Sequence, residues 1–122
     1  MPYHLAFEEH PRYLCATVTG SNNPRNALRF LKESYEACIE RGQTALLLEM
    51  NFSGPAFDFG SIFSVVAERS ADGKKLRKIA YVDTSPLDPK TMKFAETVAI
   101  NRGVNVRLFQ DPAAAQRWME AS

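Results

Sequence analysis

Cysteine is nearly absent from this chain of 122 residues: only Cys15 and Cys38 occur. There is no C-x-x-C pair, so a zinc site or a redox dithiol has no ligand spacing to rest on. Cys15 lies in an apolar, strand-like run and Cys38 on the apolar face of a helix, so both read as buried free thiols. No apolar run approaches the ~20 residues of a membrane span. The segment MPYHLAFEEH has neither the basic stretch nor the long apolar stretch of a signal peptide. A cytoplasmic protein without stable membrane insertion is the expectation. Excess charge is lacking too: 15 Lys and Arg against 14 Asp and Glu leave +1, so a general attraction for nucleic acid is not expected. The chain contains no G-x-S-x-G elbow, no G-x-x-x-x-G-K-[ST] loop and no G-x-G-x-x-G after a strand. His4 and His10 stand apart with no further ligand nearby, which argues against a metal site. Glu8 and Glu9 are neighbours in a strand pattern, face opposite ways, and do not form an acid–base pair. A non-enzymatic protein without cofactor or metal is the resulting expectation.

What is present is ordinary globular material, 45% hydrophobic and 24% charged, enough for one domain over residues 1–122 with an adequate core. Tyr3, Leu5 and Phe7 alternate with polar or small residues, and Tyr13 to Thr19 is rich in strand formers. With His10-Pro11 as the break, this predicts a hairpin. Asn23-Pro24, Asp88-Pro89 and Asp111-Pro112 each set a capping side chain before a proline that has no N–H to lose, so three helix starts share one device. The first helix is expected from Pro24 to about Arg41, with Leu28, Leu31, Tyr35, Cys38 and Ile39 inward and Gly42 as its stop. A second begins near Phe59, with Phe59, Ile62, Phe63 and Val66 on one side and a turn at Asp72-Gly73. A third runs from Pro89 to about Arg102, and a last follows Asp111, packing through Ala115, Trp118 and Met119. Strands at Ala45–Met50, Lys78–Val82 and Val104–Leu108 alternate with them. The order is ββαβαβαβα: an α/β fold, mostly parallel, with an N-terminal antiparallel hairpin and helices packed on the sheet.

Residues 44–63, TALLLEMNFSGPAFDFGSIF, form the most informative stretch. A buried strand, a loop rich in turn formers and a helix start follow one another, and in open α/β sheets ligands and partners meet the carboxyl ends of strands. Asn51, Phe52, Ser53, Gly54, Phe57, Asp58, Gly60 and Ser61 are the binding or switch candidates. Asp58 also reads as a simple helix cap. Phe59 and Phe63 read as core, whereas Phe52 and Phe57 read as folding back over the core or, if exposed, as suiting a partner surface or an acyl-chain pocket. Thr84, Ser85 and Gln110, past the ends of neighbouring strands, are the candidates for a secondary crevice, with service of the turn before Asp88 the alternative for Thr84 and Ser85. Lys74, Lys75, Arg77 and Lys78 make the densest charge run, read as a solvated approach to a strand or, alternatively, a contact for phosphate or an acidic protein.

Three segments, LLLEMNFSG (Leu46 to Gly54), KLRKIAYVD (Lys75 to Asp83) and KFAETVAINRGVNVRLFQDPAAAQRW (Lys93 to Trp118), resemble the STAS-like family. These small bacterial proteins are related to anti-sigma-factor antagonists and to CRAL-TRIO lipid-transfer domains. The resemblance spans nearly the whole chain. It implies a binding or regulatory module that contacts a protein partner through the loop 51–58 and the second helix. The lipid-transfer side implies the alternative, a small-molecule or lipid carrier with an apolar or anionic ligand; an enzyme of unknown type is the third reading. In antagonists an aspartate precedes the phosphorylatable serine, typically as Asp-Ser-Ser-Gly. Here the segment reads Asp58-Phe59-Gly60-Ser61, with the serine one position late. A homodimer through the Tyr3–Glu8 edge is a further expectation, since edge strands invite pairing.

Overall fold

Alternation in the first two segments produces the hairpin: β1 (Tyr3–Glu9) runs antiparallel to β2 (Leu14–Ser21). The computed structural model describes residues 3–21, 23–53, 58–83 and 89–121. β3 (Ala45–Ser53), β4 (Lys78–Val82) and β5 (Val106–Phe109) continue the sheet in parallel, in the order β1-β2-β3-β4-β5. The helices are α1 (Pro24–Glu40), α2 (Phe59–Gly73), α3 (Pro89–Asn101) and α4 (Pro112–Glu120). The expected element order is the observed one.

Helix ends follow the local chemistry. Asn23 Oδ1 accepts the Asn26 N–H at 2.9 Å, and Asp111 Oδ1 accepts the Ala113 N–H at 3.0 Å. Asp88 lies outside the described residues. At the other end, α1 and α3 stop by the same device. Gly42 takes φ +74° and Gly103 φ +87°. Behind them the Gln43 N–H reaches back to the Cys38 carbonyl, and the Val104 N–H to that of Ala99. This double closure needs a left-handed residue, which glycine supplies without strain.

Two cores flank the sheet. α1, α2 and α3 cover one face, where Leu14, Leu46, Leu48 and Ile79 meet Phe30, Tyr35, Ile62, Val66 and Val98. On the other, α4 alone packs Ala115 and Met119 against Tyr13, Ala45, Leu47, Ala80 and Val82. β3 and β4 are covered on both sides, which is why their sequences read as continuous apolar runs rather than alternations. Cys38 is buried among these groups and Cys15 half-buried, both as free thiols; burial pushes the Cys38 thiol up to about 11. No described helix is long and apolar enough to cross a membrane.

Several sequence expectations need correction. Asp72-Gly73 is the last turn of α2 rather than a separate turn. Val104 precedes β5 instead of belonging to it. Ile39 is 45% exposed, because α1 buries Ala27, Phe30, Leu31, Ser34, Tyr35 and Cys38 and so turns residue 39 off the sheet. Lys78 does not belong to the solvated run of Lys74, Lys75 and Arg77. It is buried on the α4 side of β4, and its Nζ donates to the Trp118 and Ala121 carbonyls, 2.8 Å to the latter. Carbonyls at the end of α4 thereby gain a donor that the helix cannot supply.

Candidate functional site

Parallel strands β2 to β5 all point their carboxyl ends at one edge of the sheet. β3 reaches further than its apolar run suggested: the register continues through Asn51 against Thr19, Phe52 against Gly20 and Ser53 against Ser21. The candidates Asn51, Phe52 and Ser53 are therefore strand residues, not loop residues, because β2 offers a partner for that whole length. Asn51 is exposed there. Gly54 and Phe57 lie outside the described residues, as do Thr84 and Ser85 of the secondary crevice. Its third member, Gln110, is exposed just beyond β5.

Asp58 is the N-cap of α2. Its Oδ1 accepts the Ser61 N–H at 2.7 Å, and the Ser61 hydroxyl donates to the same carboxylate. These two hydrogen bonds favour the ionised form and hold the exposed carboxyl below its ordinary value. A base for acid–base catalysis would be tuned the opposite way, toward neutral pH. Gly60 sits in this first turn without backbone need for glycine. A Cβ there would meet only Asp58 Oδ1, at 3.5 Å, an ordinary contact.

The aromatic pair of α2 is misassigned by its sequence. Phe59 is 52% and Phe63 46% exposed, while Ile62, Val65 and Val66 are the residues that face the core. The spacing 59, 62, 63, 66 fits one stripe, but 62, 65, 66, 70 and 73 fit another, centred elsewhere on the helix, and that one meets the sheet. Phe59 and Phe63 fall on the flank toward α3. The Phe59 ring meets that of Phe94, centroids 5.0 Å apart, and the Arg102 guanidinium lies 5.2 Å from the Phe63 centroid. Ile100 of α3 is exposed as well.

Glu96 had no distinctive sequence signal beyond its charge. It is buried in α3, where one carboxylate oxygen accepts from Lys93 Nζ at 2.5 Å and the other from the Leu108 N–H at 2.7 Å. The carboxylate thus ties α3 to the edge strand β5. Among the described residues no group of three His, Cys, Asp or Glu could hold a metal ion. His10 stacks on Tyr13, centroids 4.5 Å apart, and lies 3.5 Å from Glu8.

No family model matches the chain, and no curated protein matches it by sequence. Solved structures do. One is an uncharacterised protein of the DUF3478 family with a SpoIIAA-like fold from Shewanella loihica PV-4. It is 14% identical, with a TM-score of 0.58 over 96% of this chain and 93% of that one. Another is the anti-sigma factor antagonist SpoIIAA in its unphosphorylated form. It is 13% identical, with a TM-score of 0.54 over 97% of this chain and 100% of that one. The expected STAS-like fold is the observed one: an α/β domain with a mixed five-stranded sheet and four helices.

Proposed function

We propose that this chain is a non-catalytic, STAS-like binding module that meets a protein partner through the end of β3, residues 51–58 and α2. The observation that carries this reading is the half-exposed pair Phe59 and Phe63, one turn apart on the flank of α2 toward α3. Half-exposed aromatics in a row leave apolar area in water, and partner surfaces are enriched in such groups. The fold likeness to an anti-sigma factor antagonist, a protein described by its action on another protein, supports the same choice.

A serine switch of the antagonist kind has a weaker footing. Gly60 holds the place of the modified serine, and the nearest hydroxyl, Ser61, already donates to Asp58. A helix N-terminus welcomes an anion, but Asp58 supplies one. A phosphoryl group on Ser61 would add a charge of about −1.5 to −2 against it. Such a modification would loosen the first turn of α2 rather than lock it.

Site-specific photo-crosslinking in the native cell tests the module. A benzophenone side chain at residue 63 is expected to capture one defined protein that the same group at Arg117, on α4, does not. The purified partner should then bind the wild-type chain and lose affinity for a Phe59→Ser/Phe63→Ser variant whose circular dichroism is unchanged. Equal capture from both positions, or undiminished binding by the variant, would refute the assignment.

A further inference from the structure

We infer that a cavity between the β1 edge and α1 is a second binding site, for the phosphoryl group of a phosphate monoester. It is a solvent-open groove of about 570 Å³, lined by Tyr3, His4, Leu5, Arg25, Arg29 and Glu33, with Asn26 behind them. That volume falls in the range of roughly 300–1,000 Å³ typical of small-molecule sites. It lies away from the Phe59–Phe63 flank, so it does not depend on the protein-partner reading.

The two arginines carry the argument. Arg25 and Arg29 stand one helical turn apart, both exposed, and neither is ion-paired among the described residues. The cavity's one carboxylate, Glu33, lies one turn further on, at the right spacing to neutralise Arg29. It accepts instead from the Tyr3 hydroxyl, across the cavity. Arg25 also lies in the first turn of α1, where no acidic residue is present. Like charges four residues apart repel, and cations near a helix start oppose the helix dipole. Among the described residues no ion pair offsets these two penalties, so the arrangement departs from local rules.

A bound dianion would reverse each of those penalties. Side chains four residues apart on a helix originate roughly 5–6 Å from each other. One phosphoryl group can therefore accept from both guanidiniums, whose planar forks suit phosphate. The rest of the ligand would lie on Tyr3 and Leu5, which form the apolar part of the wall. The Tyr3 ring is held there by edge contact with Phe30, centroids 6.2 Å apart.

Titration calorimetry with adenosine monophosphate, inorganic phosphate and adenosine tests the site. Sedimentation with phosphatidylcholine vesicles, with and without phosphatidic acid, separates a soluble ester from a lipid headgroup. The nucleotide, the phosphatidic acid vesicles or both should bind saturably, and adenosine and plain vesicles should not. Arg25→Gln/Arg29→Gln should weaken binding at least about tenfold, as loss of charge-assisted hydrogen bonds does. Lys74→Gln/Lys75→Gln, which removes equal charge elsewhere, should leave it within about twofold. No saturable binding by any phosphate at millimolar concentration overturns the proposal. So does equal loss in both double variants, which would mean attraction by net charge alone.

Discussion

Substituting alanine separately at Ile62 and Phe63 separates core from surface on α2. The two residues are adjacent, similar in hydrophobicity, and equally eligible for the core by sequence. Ile62 is buried against the sheet, whereas Phe63 leaves 46% of its surface in water. Ile62→Ala removes three carbons from a closed space, which costs about 2–5 kcal/mol. For a domain of this size that lowers Tm by roughly 8–20 °C. Phe63→Ala deletes more carbons, but only half of that area is covered and no closed cavity remains. The covered part, about 110 Å² at ~25 cal/mol per Å², sets an upper limit of about 2.8 kcal/mol. The Arg102 contact adds about 0.5 kcal/mol. Affinity for a partner moves the other way. The uncovered part of Phe63, about 100 Å², is worth up to roughly 2.5 kcal/mol on burial, or about seventyfold in Kd. Ile62→Ala should leave the affinity of the folded fraction unchanged. Differential scanning fluorimetry and a binding isotherm on each variant suffice. A larger stability loss at Phe63 than at Ile62 would refute the assignment of faces.

Three further outcomes are expected. Asp58 is held below its ordinary pKa by the Ser61 N–H and hydroxyl, so the cap's stabilisation is complete above about pH 4. It is lost as pH falls through the lowered folded-state value, and Asp58→Ala should flatten that part of the Tm–pH curve. The buried hydroxyls of Tyr35 and Tyr81 lie 3.3 Å apart. Tyr35→Phe or Tyr81→Phe alone should cost about 1–3 kcal/mol in urea denaturation, and the double variant less than the sum. Ser34 Oγ is buried without a hydrogen-bond partner among the described residues, so Ser34→Ala should hold or raise Tm, by up to about 1 kcal/mol of stability.

The chain's own residues determine most of the architecture. Asn23-Pro24 and Asp111-Pro112 mark helix starts because the cap and the proline act within one turn. Gly42 and Gly103 mark helix stops because only a left-handed residue closes them. Both effects are local and need no knowledge of the rest of the fold. The apolar runs at 45–48 and 78–82 announce strands covered on both faces for a similar reason: their burial is nearly complete whichever way they point. The strand, turn formers and helix start of residues 45–61 were legible for the same reason, as local signals.

Only the tertiary structure decided how each helix is rotated about its axis and which polar groups go inside. Two apolar stripes compete on α2, and periodicity ranks them equally. The sheet chose Ile62, Val65 and Val66 and left Phe59 and Phe63 outside. Lys78 reads as one more cation in a solvated run until the end of α4 presents it with two carbonyls. Glu96 carries no signal beyond its charge until the β5 edge offers the Leu108 N–H. Arg25 and Arg29 read as the wet face of a helix until β1 closes a cavity beside them and draws Glu33 away. In each case the partner lies far along the chain, and its distance in sequence hides the interaction that determines the role.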